Sequence, residues 1–199
     1  MKFTALPLTA ERMADMDVVF QARGCAVAKG CYCTYYRLTH REYQQPGPGS
    51  ASGRRRARML ALAEGAVSPG LLGYVDGRPA GWISFGPRED FKRLETSPTM
   101  RPVDDQPVWS VICFVVPSEF RGQGVAHQLL QAAVQAAARQ GARLLEAYPV
   151  DREVPGSTSA PWFGSLSMFK AAGFTEVERH KPARPIVRLA LAPRRSGDG

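Results

Sequence analysis

Apolar positions along the chain recur with two different periods, and the changes of period mark out the elements. Residues 1–6 read as a short strand. Met13, Met16, Val19 and Phe20 then fall at helical spacing behind Thr9, a capping residue type, and predict a helix over Ala10–Ala22. The stretch "GCAVAKGCYCTYYRLTH", Gly24–His40, follows neither period and reads as irregular. "QQPGPGSASG", Gln44–Gly53, is rich in Pro, Gly and Ser and reads as a mobile loop. Met59, Leu60 and Ala63 share one side of a helix predicted over Arg54–Gly65.

The period changes at "GLLGYVDGRPAGWISFG", Gly70–Gly86. Two β-rich runs flank Asp76–Gly77, a pairing that favours a two-residue primed turn. Pro87–Pro107 is polar and Pro-containing, a long crossing loop with at most one helical turn. Trp109–Val116 is a strand and Gly124–Gln140 a long helix stopped by Gly141. "ARLLEAYPV", Ala142–Val150, is the next strand. Residues 151–161 are loop, Trp162–Gly173 is helix, and Phe174–Val177 and Ile186–Ala192 are closing strands. The order β, α, α, β, β, β, α, β, α, β, β predicts an α/β fold, a mixed sheet with helices on its faces. No internal repeat or break in composition divides it. One domain is expected over residues 1–193, with 194–199 as a flexible tail.

Composition narrows the classes. An apolar content of 44% in 199 residues suits a globular core. No run of about 18 apolar residues predicts a membrane span, and the first residues lack the apolar centre of a signal peptide. Four cysteines are too few for a disulfide scaffold, so a reducing cytoplasm is the expected compartment. The net charge of +8 and the pI near 9.7 suit an acidic partner, whether nucleic acid, an anionic membrane or a phosphorylated cofactor.

The phosphate reading has a specific place. In "FVVPSEFRGQGVAHQ" a β-rich run stops at Pro117, two glycines follow, and a helix begins. Amides at a helix start point outward without partners, and the aligned peptide dipoles add positive charge there. Glycine lets a phosphate approach such a backbone closely. A mononucleotide P-loop fails because no Lys lies between Pro107 and Gln140. A dinucleotide fingerprint would begin at Gly122 and Gly124 and could use Glu146, 24 residues on. His127 stands at its third glycine, however, and several strands precede it where that unit uses its first.

The remaining pattern is Arg121-Gly122-Gln123-Gly124-Val125-Ala126 behind a strand and a proline, and it resembles the GNAT superfamily of acyl-CoA N-acyltransferases. "MFKAAGF", Met168–Phe174, is similar to the end of that superfamily's fourth helix, and the hairpin at Asp76–Gly77 to its second and third strands. The resemblance covers about residues 70–180 and implies an acyl-CoA-binding core there, with residues 1–65 on the acceptor side. It implies acetyl-CoA as co-substrate, with the pyrophosphate on amides of Arg121, Gly122, Gln123, Gly124, Val125, Ala126 and His127. The pantetheine arm would pair with Phe114, Val115 and Val116. A bulge in that strand would part it from "LLEAYPV" and open a cleft, and an amide near Val115 would face the thioester oxygen. The implied reaction is N-acetyl transfer to a primary amine of a small molecule or peptide by direct attack.

Two familiar positions are non-titrating. The superfamily's strand Glu falls at or near Ser110, and its helix Tyr at Phe169. Glu146 and Tyr148, two apart and so on one face of a strand beside the cleft, are the candidate base and acid. The competing structural reading pairs Glu146 with Arg143 or Arg188 and packs Tyr148. Asp151 is a candidate partner for a cationic amine, and Ser165 and Ser167 for the cofactor. Cys25, Cys31 and Cys33 have poor zinc spacing even with His40, so no metal is expected. Tyr32, Tyr35 and Tyr36 are expected to line or cover the acceptor pocket. Arg54, Arg55, Arg56 and Arg58 read as a solvated helix face, with the CoA 3′-phosphate or RNA as functional alternatives. An acyl-CoA sensor without catalysis and a basic nucleic-acid-binding protein are the rival functions, and the chain leaves room for a homodimer.

Overall fold

The computed structural model describes residues 1–155, 157 and 161–191. The expected flexible tail, 194–199, and the end of the last predicted strand at Ala192 lie outside them. The strands are β1 (Phe3–Pro7), β2 (Gly70–Val75), β3 (Arg78–Pro87), β4 (Trp109–Val115), β5 (Leu144–Ala147), β6 (Thr175–Lys181) and β7 (Arg184–Ala190). The helices are α1 (Met13–Gln21), α2 (Ala26–Cys31), α3 (His40–Gln44), α4 (Ala51–Ala63), α5 (Val125–Arg139) and α6 (Leu166–Ala171). One mixed sheet runs β1-β2-β3-β4-β5-β7-β6, antiparallel at every pairing except β4–β5.

Asp76 and Gly77 form the hairpin turn with φ of 48° and 80°. Left-handed backbone at both central positions is what a type I′ turn needs, and it matches the twist of the flanking strands. Alternation along β2 and β3 then sorts side chains to opposite faces. Leu71 and Ile83 join the core under α5 and α6, while Leu72 and Trp82 join the core under α1, α2 and α4. Helix α5 presses Leu129 and Val125 so close to β3 that a Cβ on Gly81 would lie 3.0 and 3.1 Å from them. A third cluster, around Phe91, Leu94, Ile112 and Tyr148, anchors the crossing loop.

Several predicted boundaries move. The first helix begins as a 3-10 turn, Ala10–Arg12, and Thr9 makes no side-chain cap bond. The segment read as irregular holds α2, and α3 follows behind a Thr39–Glu42 capping box. Ser50 caps α4, which starts inside the expected loop. Helices of six and five residues are too short to show a period. β5 stops at Ala147, and the predicted long C-terminal helix is a 3-10 turn, Pro161–Phe163, followed by α6.

Candidate active site

The site begins where two parallel strands part. β4 and β5 pair only over Trp109–Val111 and Leu145–Ala147. Just beyond, Ile112 is the extra residue of a bulge, because Val111 pairs with Phe85 and Cys113 with Ser84. On the other side Val150 leaves the sheet and bridges to Ser165, its N–H donating to the Gly164 carbonyl at 3.0 Å. The gap between these diverging edges opens into a cleft of about 920 Å³.

One half of the cleft is walled by the glycine loop. A 3-10 turn over Ser118–Phe120 reverses the chain after β4, and Gly122 and Gly124 follow with φ of 76° and 77°. A Cβ on either glycine would meet no atom within 4 Å, so the left-handed backbone and not crowding demands glycine. Gly124 is the N-cap of α5, with no side chain capping it. Gln128 is the first amide past the turn to find a backbone acceptor, Gly124 O at 3.0 Å. Arg121 fixes the loop, its Nε donating to Val116 O at 3.0 Å and a terminal nitrogen to Gly24 O at 2.8 Å. Phe114, Val115, Val116, Arg121, Gly122, Gly124, Val125, Ala126 and His127 all line the cleft. Gln123 lies outside the lining, with its amide turned back onto Glu119 O at 2.6 Å.

The other half is walled by side chains. Residues of the Gly24–Cys33 segment line it together with Tyr35, Tyr36, Tyr43, Arg55, Trp162 and Met168. Burial pushes the Tyr36 hydroxyl up to about 12. Tyr32 does not join this wall. Its ring is buried against Phe20 and its hydroxyl donates to Asp17 at 2.8 Å. Cys31, Cys33 and Cys113 line the cleft as free thiols. Contact with Cys33 and burial raise the Cys31 thiol well above its ordinary range, and contact with Cys113 and burial do the same for Cys33. Such thiols are held protonated and unreactive. Among the described residues no three His, Cys, Asp or Glu side chains are grouped so as to hold a metal ion.

Glu146 and Tyr148 share a face, as the alternation predicts, and are 0% and 1% exposed. They lie behind the closed seam and not among the cleft-lining residues. Tyr148 donates its hydroxyl to Glu146 Oε1 at 2.6 Å and lies 3.0 Å from Ser110 Oγ. Arg88 donates to Glu146 Oε1 at 3.0 Å and to the Tyr148 hydroxyl at 2.6 Å, and Arg188 donates to Glu146 Oε2 at 2.9 Å. Burial, with the Glu146 charge beside it, pushes the Tyr148 hydroxyl well above the ordinary phenol range. Arg88 also donates to Met100 O at 2.7 Å, and Arg188 reaches Asp104 at 2.6 and 3.0 Å, so the network ties the crossing loop to the seam. The pairing of Glu146 with Arg188 follows the structural reading of the sequence; Arg88 and Asp104 have no local signal. Phe169 is buried, edge-on to Phe114 and Phe174.

Other sequence candidates have partners inside the protein. Asp151 pairs with Arg179 at 2.9 Å, away from the cleft. Ser165 caps α6 through the Met168 N–H at 3.3 Å and lies 3.0 Å from Ser167 Oγ. The arginine run is not a solvated face throughout. Arg54 donates to Gly47 and Gly49 carbonyls, Arg55 to Gly30 O, and Arg56 grips both oxygens of Asp17. No helix among the described residues is long and apolar enough to cross a membrane.

A family model described as the acetyltransferase (GNAT) family matches residues 34–157. No curated protein sequence matches the chain. Among solved structures, an N-acetyltransferase from Staphylococcus aureus Mu50 is similar over 96% of this chain and 100% of its own, with 16% identity and a TM-score of 0.54. The PaiA N-acetyltransferase of Thermoplasma acidophilum in complex with coenzyme A is 11% identical over 96% and 99%, with a TM-score of 0.54. A polyamine N-acetyltransferase of Drosophila melanogaster is 12% identical over 96% and 100%, with a TM-score of 0.55. At these identities the structures share the fold. With the family model spanning most of the chain and the parted strands and glycine loop in place, the protein belongs to the GNAT family and is an N-acetyltransferase.

Proposed function

We propose that this enzyme takes acetyl-CoA in the glycine-loop half of the cleft and transfers the acetyl group to a primary amine of a small molecule or peptide in the other half. The observation that carries the reading is the continuity of the cleft from the α5 N-terminus to the tyrosine wall across the parted ends of β4 and β5. The loop fits a pyrophosphate. Its glycines leave open space where side chains would stand, and the amides of residues 122–127, at the positive end of a 15-residue helix, have no backbone acceptor among the described residues. Residues 114–116, the end of β4 and the residue after it, offer a strand edge for the amide-bearing pantetheine arm, because β5 pairs no further than Val111. Coenzyme A is present in the Thermoplasma relative and in a complex described as NatC bound to Gag peptide and CoA, both of which share the fold.

Bound there, acetyl-CoA supplies a thioester whose carbon the amine attacks, the C–N bond forming as the C–S bond breaks. In this reading an amide near Val115 donates to the oxygen on which charge grows. Glu146 and Tyr148 are assigned a positioning role. A carboxylate enclosed by two guanidiniums and a hydroxyl and shut from the cleft cannot reach an amine proton, but its network holds the parted strands in register. No Asp or Glu lines the cleft among the described residues. The acceptor therefore reacts from its own neutral form, its proton passing to solvent and to the departing sulfur, and the rate gain comes from positioning and oxyanion donation. The test pairs thermal stability with thiol release. Acetyl-CoA raises the melting temperature, and added amines accelerate thiol release above hydrolysis. Absence of the first result, or hydrolysis alone across amino acids, peptides, polyamines and aminoglycosides, contradicts the reading.

A further inference from the structure

We propose that the acceptor half of the cleft is built for a monoamine bearing an aromatic group and a carboxylate, in chemical class an aromatic amino acid, with Arg152 as the partner of the carboxylate. This rests on the reading that the glycine-loop half takes acetyl-CoA.

The wall is aromatic and continuous. Tyr35 meets Tyr36 and Tyr43 edge-on with ring centres 5.0 and 5.2 Å apart, and Tyr36 meets Phe163 at 5.8 Å. An aromatic wall invites cations as well as rings, since each ring face carries negative charge. Here that capacity is already engaged. Arg55 lies 3.7 Å over Tyr43, Arg93 4.0 Å over Tyr35 and Arg184 4.0 Å over Phe163. A second cation against these rings would be attracted by the same electron density while repelled by a guanidinium, so neutral rings are favoured over ammonium groups.

Charge points the same way. The cations lining the cleft are Arg55, Arg121 and Arg152, and no Asp or Glu lines it among the described residues. Two nearby acids are engaged elsewhere: Asp151 holds Arg179 at 2.9 Å and Glu42 holds Lys92 at 2.8 Å. Arg55 and Arg121 are committed to backbone carbonyls. Arg152 makes no side-chain hydrogen bond among the described residues, and it is exposed at the cleft. Its place is fixed by the Asp151 N–H on Ala183 O at 3.0 Å and by the Val150–Ser165 bridge, which brings it beside the turn carrying Trp162. A guanidinium with no side-chain hydrogen bond among the described residues, next to an aromatic wall, is a carboxylate seat. A polyamine or aminoglycoside would bring several ammonium groups against these cations, with no acid among the described lining residues to receive them. The products are the N-acetyl amino acid and free CoA thiol.

The experiment measures thiol release from acetyl-CoA with phenylalanine, phenethylamine (the same ring without the carboxylate), alanine and spermidine. Phenylalanine is expected to exceed phenethylamine in kcat/KM by roughly 10- to 100-fold, the worth of one charge-assisted contact, and to exceed alanine and spermidine as well. Arg152→Gln is expected to bring the phenylalanine-to-phenethylamine ratio close to one. Spermidine equal to or better than phenylalanine, a ratio near one in the unaltered enzyme, or a ratio that survives Arg152→Gln each overturns the proposal. So does failure to acetylate any of the four while acetyl-CoA still raises the melting temperature. No thermal shift with acetyl-CoA defeats the underlying reading instead, and the acceptor assignment with it.

Discussion

The two halves of the cleft are made of different material. The glycine-loop half presents main chain: two left-handed glycines, a helix N-terminus and a strand edge. The acceptor half presents side chains from separate stretches: the Cys/Tyr-rich segment, Tyr43, Arg55, Arg152, the Trp162 turn and Met168. Backbone donors are fixed once the fold forms, and suit a ligand part that never varies. Side chains can be exchanged without disturbing the sheet, and suit the part that distinguishes one enzyme from another. The seam of Arg88, Glu146, Tyr148 and Arg188 separates the two functions from the load of holding the strands apart.

That division can be broken most severely at the seam. Arg88→Leu leaves Glu146 with a single buried guanidinium, a loss of about 3–5 kcal/mol, and both halves should fail together. The melting temperature is expected to fall by roughly 10 °C. A thermally normal variant with a selective loss of turnover would instead restore Glu146 as a group that takes part in the chemistry.

The halves separate at the next level. Gly124→Val forces a branched residue into the left-handed region, at a cost of about 1–2 kcal/mol, and sets a side chain where the phosphate is proposed to lie. Its KM for acetyl-CoA should rise roughly 10- to 100-fold with little change in the acceptor KM. Trp162→Ala should do the reverse, raising the acceptor KM about fivefold for the loss of about 1 kcal/mol of aromatic contact and sparing acetyl-CoA. Steady-state kinetics with each substrate varied in turn reads both.

The same contrast explains what was legible in the sequence. The glycine loop carries a local signal: strand, proline, two glycines and a helix in one short run. The hairpin is equally local, with Asp76–Gly77 between two β-rich runs. The tyrosine wall has no such signal, because Tyr35, Tyr43, Arg55 and Trp162 meet only after the chain folds. Tyr32 shows the limit most clearly. It lies in the same run as Tyr35, yet a left-handed backbone at Tyr32 and Cys33 turns it inward onto Asp17. Glu146 and Tyr148 could be placed on one face from their spacing of two. That the face is sealed depends on Arg88 and Asp104, which arrive from a crossing loop with no pattern to announce them.

Two smaller effects depend on pH. With no carboxylate lining the cleft among the described residues, kcat/KM should climb about tenfold per pH unit below the ammonium pKa of the acceptor amine and level off there. An added inflection between about pH 4 and 6, in the range of a carboxylate or a shifted one, would put an acid back into the reaction. Stability has its own limb. The bond from Arg188 holds the Asp104 carboxyl down at about 2, below its ordinary 3.8. A lowered folded value means that the stabilisation is complete above that ordinary value and is lost as pH falls through the folded one. Thermal melts of Asp104→Asn and the unaltered chain should therefore differ at pH 5 and converge toward about pH 2.

Main chain, not side chain, is proposed to hold acetyl-CoA at one end of a shared cleft. Isothermal titration of acetyl-CoA into the unaltered enzyme, Gly124→Val and Trp162→Ala reads this binding without turnover. Saturable one-to-one binding is expected, weakened at least about tenfold by Gly124→Val and unchanged in Trp162→Ala. No saturable binding to the unaltered enzyme, or equal weakening in both variants, would contradict it.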